Sequence, residues 1–156
     1  MPTELTDAHF EEFCAKGYLI VPDFTAPDQC REMAAALRRL LKPWEEVKDA
    51  PSPPHTAHHF FPYPEQSLNE AILNPIALQF ARRWHDTHHI HYRQGLAMVR
   101  YPGFKGDVGH PHIDNGNNSL LPPTSAHRHA QIVIWLFPEG ADADQAPLHL
   151  VATADD

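Results

Sequence analysis

Prolines between residues 43 and 64 limit the fold of this chain more than any other feature of its sequence. A proline ring fixes φ and removes a backbone N–H, so prolines interrupt helix interiors and central strands. We therefore predict a long loop over this range, packed by its own aromatic side chains. Such a loop is either a lid or binding segment, or slack in the chain. The six prolines are Pro43, Pro51, Pro53, Pro54, Pro62 and Pro64, and the aromatic residues are Phe60, Phe61 and Tyr63.

The residues before this loop predict a helix, a strand and a second helix. Thr6 is placed to cap a first helix that runs to about Lys16, and Gly17 is placed to end it. Residues 18–21 are apolar or aromatic and predict a short buried strand. Thr25 is a second start signal, ahead of the good helix formers between residues 33 and 41.

The pattern changes from helical to extended after the loop. Asn74 and Pro75 predict a cap and a helix that ends near His85. Helices followed by strands indicate an α+β fold, and we expect one domain over residues 1–156. The predicted strands are Ile90 to Arg93, Leu96 to Tyr101, Val108 to Ile113, Gln131 to Phe137 and Leu148 to Val151.

Charge and composition exclude several classes of protein. Twelve Lys and Arg face 20 Asp and Glu, which gives a net charge of −8 and makes nucleic acid an unexpected partner. No apolar run approaches the roughly 20 residues of a membrane helix, and the N-terminus lacks a signal segment, so we expect a soluble cytoplasmic protein without a membrane partner. Cys14 and Cys30 are expected to be buried, reduced thiols.

His112 and Asp114 form the motif that carries chemistry. Side chains two positions apart on a strand point the same way, so both would lie on one face, with Ile113 on the other. An imidazole nitrogen and a carboxylate oxygen suit Fe(II) in a facial triad that needs one more histidine. His110 shares this face, but three alternate residues span roughly 13 Å, too far for one ion. It either lines the pocket mouth or is solvated.

The surroundings of this pair resemble the phytanoyl-CoA dioxygenase family. Gly17 to Phe24 is similar to the family's Gly-Tyr-x-x-Val-x-x-Phe entry between two helices, and the resemblance extends from about Thr6 to Val151. The other segments that carry it are Arg100 to Gly106, His112 to Asp114, Ile132 to Phe137 and Ala146 to Val151.

The resemblance implies an Fe(II)/2-oxoglutarate-dependent dioxygenase that uses O₂ to hydroxylate a small organic substrate. It implies helices packed on a double-stranded β-helix of the cupin or jelly-roll type, with iron bound by His112, Asp114 and a late histidine. The co-substrate 2-oxoglutarate would chelate the metal and be converted to succinate. Met98 and Arg100, which face the same way on the strand before the motif, are candidates for co-substrate binding, or serve only strand packing and surface charge.

The chain departs from the family after Val151. The family continues into a Pro-Gly-Ser-His-like turn, whereas residues 152–156 read Ala-Thr-Ala-Asp-Asp. Residues 115–156 leave room for about four strands, fewer than the fold requires. We therefore expect a C-terminally truncated gene product or fragment, whose open sheet edge makes it unstable, self-associating or dependent on another chain. His149, on a predicted strand, is a candidate for a substitute third ligand.

Three interpretations follow: the oxygenase, a cupin-like metal- or ligand-binding module without turnover, and an inactive fragment. Two histidine groups, one over residues 55–59 and one over residues 85–91, could bind Zn or Ni, or be solvated or pocket-lining histidines. Trp135 is expected to be a core aromatic, or else to touch the ligand pocket.

Overall fold

The fold combines a helical layer with a two-stranded antiparallel sheet. The structure is a computed structural model, and it describes residues 4–104, 131–143, 145 and 147–152. The α+β class is therefore confirmed for the described residues, which do not include a jelly roll or a double-stranded β-helix. The helices are α1 (Asp7–Lys16), α2 (Pro27–Leu40), α3 (Trp44–Val47), α4 (Gln66–Ile72) and α5 (Pro75–His85), and the strands are β1 (Thr56–Phe60) and β2 (Leu96–Arg100).

Helices α1 and α5 form where their capping residues predict them. The backbone N–H of Thr6 donates to His9 Nδ1 over 3.1 Å, and Gly17 ends α1 in the left-handed region at φ 76°. The side-chain oxygen of Asn74 accepts hydrogen bonds from the backbone N–H groups of Ile76 (2.9 Å) and Ala77 (3.3 Å). These local bonds satisfy orphan donors at the start of α5.

Other elements correct the sequence predictions. Residues 18–21 form no strand, and Ile20 is 67% exposed. Helix α2 begins at Pro27 with Ala26 as its N-cap rather than at Thr25, because proline suits the first helical turn, where its missing N–H has no partner in any case. Residues 90–93 are also not a strand.

The predicted loop between residues 43 and 64 contains α3 and β1. Strand β1 pairs antiparallel with β2 in a register that sets Thr56 opposite Arg100 and Phe60 opposite Leu96. Strand β1 occupies the proline-free stretch between Pro54 and Pro62, so the prolines flank this strand and do not prevent it. Helix α4 was not predicted either.

The core lies between α2, α4 and one face of the sheet. Its buried residues are Met33, Ala36, Tyr63, Leu68 and Ala97, and Leu136 packs against them. A second contact joins α1 to α5, where the Phe13 ring meets Phe80 (5.3 Å between centroids) and Trp84 (4.9 Å) edge-on. The sheet therefore has one face covered by helices.

Residues 131–137 are described by the structure but are not assigned to a strand. Trp135 is 43% exposed, so its prediction as a core aromatic is wrong, while its neighbour Leu136 packs on the core. Residues 148–151 are not a strand either. Cys14 is exposed rather than buried, whereas Cys30 is half-buried, and both thiols are free. None of the described helices is long and apolar enough to cross a membrane.

Candidate metal and co-substrate site

Two of the four predicted site residues lie in the part of the chain that the structure describes, and two lie outside it. Met98 and Arg100 lie on β2, which confirms the strand predicted over residues 96–101. His112 and Asp114 lie outside the described residues, as does His110. The metal pair and its geometry therefore remain a prediction, and the described part of the candidate site is the sheet that precedes it.

Strand β2 leads directly toward the metal pair in sequence. A turn closes after it, in which the backbone N–H of Phe104 donates to the carbonyl of Tyr101 over 3.0 Å. Gly103 adopts φ 83°, a left-handed conformation that glycine reaches without a steric penalty. Seven residues, 105–111, then separate this turn from His112 in the sequence.

Tyr101 fixes the end of β2 against the helical layer. Its hydroxyl donates to the carbonyl oxygen of Lys42 over 2.5 Å, and its ring lies 5.7 Å from that of Trp44. Only 4% of Tyr101 is exposed, and burial raises the pKa of its phenol. The residue after Arg100 is thus tied to the loop that follows α2.

The sheet presents two different faces. Ala97 is buried in the core, so Met98 points to the opposite face by the alternation of side chains along a strand. The register sets His58 directly opposite Met98. We call this second face the open face. It is formed by Thr56, His58 and Phe60 of β1 and by Leu96, Met98 and Arg100 of β2.

The open face is apolar at one end and cationic at the other. Phe60 is 52% exposed and Leu96 is 39% exposed, whereas Arg100 holds its guanidinium carbon 4.9 Å above the ring of Phe104. Neither strand contains Asp or Glu. Arg stays protonated at ordinary pH, and its planar fork matches the geometry of a carboxylate.

The histidines outside the predicted metal pair that the structure describes are not grouped around a common point. Among the described residues, no three His, Cys, Asp or Glu side chains are grouped as metal ligands. This finding covers the histidine groups at residues 55–59 and 85–91. His149 is exposed and lies outside any assigned strand, so the strand on which its ligand role was based is absent, and the role itself stays a prediction.

Sequence reasoning missed the β1 half of the open face. Residues 56–60 read Thr-Ala-His-His-Phe, a short run with two β-formers among prolines, which is a weak strand signal. Its pairing with β2 depends on residues about 40 positions away along the chain. The local sequence around β1 therefore does not reveal that it pairs with β2. Comparisons with protein-family models, with curated proteins and with solved structures found no match.

Proposed function

We propose that this chain carries the iron-binding part of an Fe(II)/2-oxoglutarate-dependent dioxygenase of the phytanoyl-CoA dioxygenase type. The observation that carries the proposal is His112-Ile113-Asp114, twelve residues after the end of a strand, preceded by Arg100-Tyr101-Pro102-Gly103. The substrate class is a small organic molecule, and the resemblance gives no narrower substrate. The proposed fold is a partial double-stranded β-helix to which β1 and β2 contribute.

The donor set fits the metal. One imidazole nitrogen and one hard carboxylate oxygen are ligands of non-haem Fe(II), and they leave positions for 2-oxoglutarate and O₂. When bound, iron and 2-oxoglutarate supply the oxidising chemistry, with succinate as a product. The residues of the chain hold and orient these groups: His112 and Asp114 bind the cation, and Met98 and Arg100 line the co-substrate.

The helical layer supports this arrangement on one side. Ala97 packs into the core, so β2 is held by α2 and α4 while Met98 and Arg100 remain on the open face. A ligand on that face would meet a fixed strand rather than a loop. Sites built on regular elements keep their geometry better than sites on loops.

A cupin-like module that binds a metal or ligand without turnover is the second candidate. Residues 152–156 do not match the turn in which the family carries its late histidine. His149 is the remaining candidate for a third ligand. Replacing His149 by Ala and measuring Fe(II) affinity tests this role, and an unchanged affinity rules it out.

The oxygenase proposal is tested with the purified chain under anaerobic conditions. Fe(II) and 2-oxoglutarate should together produce the weak visible charge-transfer band of the chelate, and admitting air should release succinate. Asp114→Ala should abolish both signals, and His110→Ala should leave them unchanged. A band without succinate would favour the binding module, and no band with the unmodified chain would remove the enzyme.

A further inference from the structure

The cap of helix α1 depends on a histidine side chain. A capping box closes its first turn, in which the backbone N–H of Thr6 donates to His9 Nδ1 over 3.1 Å and Thr6 Oγ1 lies 3.0 Å from the same nitrogen. The usual residue at this third helical position is Glu or Gln, whose oxygen remains an acceptor throughout the range in which histidine titrates. An imidazole nitrogen accepts only while it carries no proton. The acceptor of this cap is therefore titratable.

Protonation of His9 opposes the helix in two ways. Histidine ordinarily changes charge between pH 5 and 8, and a proton on Nδ1 would face the backbone N–H of Thr6 instead of accepting its hydrogen bond. The positive end of the helix dipole lies at the same turn, so a cation there is unfavourable. A protonated Nδ1 can still donate to Thr6 Oγ1, but the backbone N–H is left without its acceptor.

The carboxylates beside this cap already have cationic partners. Asp7 Oδ1 lies 2.7 Å from Arg83 Nη1 of α5, and Glu12 Oε1 lies 2.8 Å from Lys16 Nζ. Glu4, ahead of the helix, lines a small pocket together with Asp7 and Arg83. Because Asp7 and Glu12 are paired and exposed ion pairs are weak, a protonated imidazole gains little from them.

The first turn of α1 also carries the residues that dock it onto α5. Asp7 forms the ion pair with Arg83, and the Arg83 guanidinium carbon lies 4.0 Å above the ring of Phe10. The Phe10 ring in turn meets Phe80 edge-on at 5.8 Å between centroids. None of the ten described residues of α1 is buried, and an isolated helix of this length is marginal in water. The helix therefore depends on its cap and on these contacts.

We propose that His9 makes α1 a pH-sensitive element, which is capped and docked on α5 at neutral pH and is released as the imidazole gains a proton. Loss of the cap loosens the first turn, so Asp7 and Phe10 leave Arg83 and Phe80, and an aromatic face of α5 becomes accessible. The described core between α2, α4 and the sheet contains no residue of α1 and stays folded. The switch needs neither a metal nor a co-substrate, so it goes beyond the proposed function.

The test is amide hydrogen exchange in the full chain at pH 8 and at pH 5, the limits of the range in which histidine ordinarily titrates. Rates are corrected for the intrinsic effect of pH on exchange. Protection in α1, including the Phe10 amide that donates to the Thr6 carbonyl over 3.2 Å, should fall about tenfold at pH 5, the size expected for losing one cap. His9→Gln keeps an acceptor that does not titrate and should remain protected at pH 5. Amides of α2 should keep their protection at both pH values.

Two further variants show which histidine is responsible. His9→Ala lacks the acceptor at both pH values and should be poorly protected in α1 at both. His88→Gln removes an exposed histidine just beyond α5 and should leave the fall unchanged. Equal protection of α1 at pH 8 and pH 5 in the unmodified chain overturns the proposal. An equal fall in His9→Gln also overturns it, because another group would be the source, and so does an equal fall in α2, because the whole fold would then be opening.

Discussion

At position 95 only a hydrogen atom fits. A Cβ there would lie 1.8 Å from Tyr92 Oη, 2.8 Å from Ile72 Cδ1 and 3.1 Å from Phe61 Cβ. The partly exposed Tyr92 ring can swing aside, but Ile72 and Phe61 pack against the core. Gly95→Ala should therefore lower the free energy of unfolding by about 1–3 kcal/mol, the usual cost of overpacking. Urea denaturation measures the change, with the exposed neighbour Gln94→Ala as control. An unaltered midpoint in Gly95→Ala would contradict this packing.

Ionisation of the buried Tyr63 should lower the stability of the fold at alkaline pH. Burial, with a smaller contribution from Tyr92, raises the pKa of the Tyr63 phenol to about 12. The unfolded phenol titrates near 10, so between pH 10 and 12 the folded state binds the additional proton and stability falls as pH rises. We expect the free energy of unfolding to drop by up to about 1.4 kcal/mol per pH unit in this window. Tyr63→Phe should reduce that slope, and an equal slope in both proteins would exclude Tyr63 as its source.

At the scale of elements, α1 is held to α5 by aromatic edges. The rings of Phe13 and Trp84 are 4.9 Å apart and nearly perpendicular at 89°, and such pairs contribute about 0.5–1.5 kcal/mol beyond the area they bury. A double-mutant cycle with Phe13→Leu and Trp84→Leu should yield a coupling energy in this range. The control cycle pairs Phe13 with Trp44, whose ring packs against Tyr101 instead. Equal coupling in both cycles would contradict the contact.

The same elements show which parts of the fold could be predicted from the sequence. Helices α1 and α5 are predictable because their signals are local: Gly17 ends the first, and Asn74 caps the second. Strand β1 could not be predicted in this way, because a short strand is specified by the strand with which it pairs. The partner of His58 is Met98, 40 residues later in the chain. That Met98 and Arg100 share a face follows from the alternation of side chains along a strand. That His58 lies beside them could be known only from the pairing register of β1 and β2.

At the scale of the whole molecule, the apolar segment between residues 132 and 137 is the surface that should control association. Ile134 is 52% exposed and Trp135 is 43% exposed, and an exposed apolar patch can associate with another chain. We expect the apparent mass in sedimentation to rise with concentration, and Ile134→Lys to suppress that rise. Gln29→Lys, at an exposed position of α2, makes the same change in net charge and should not suppress the rise. A monomer at every concentration would contradict self-association.

Metal binding by His112 and Asp114 is the central premise of the oxygenase proposal, and titration with Mn(II) as a stand-in for Fe(II), followed by electron paramagnetic resonance, measures it directly. The unmodified chain should bind one ion. His112→Ala and Asp114→Ala should each weaken binding by more than about tenfold, because even outer-shell partners of metal ligands contribute that much, and His110→Ala should leave it unchanged. Equal Mn(II) affinity in all four proteins would contradict a shared cation at residues 112 and 114.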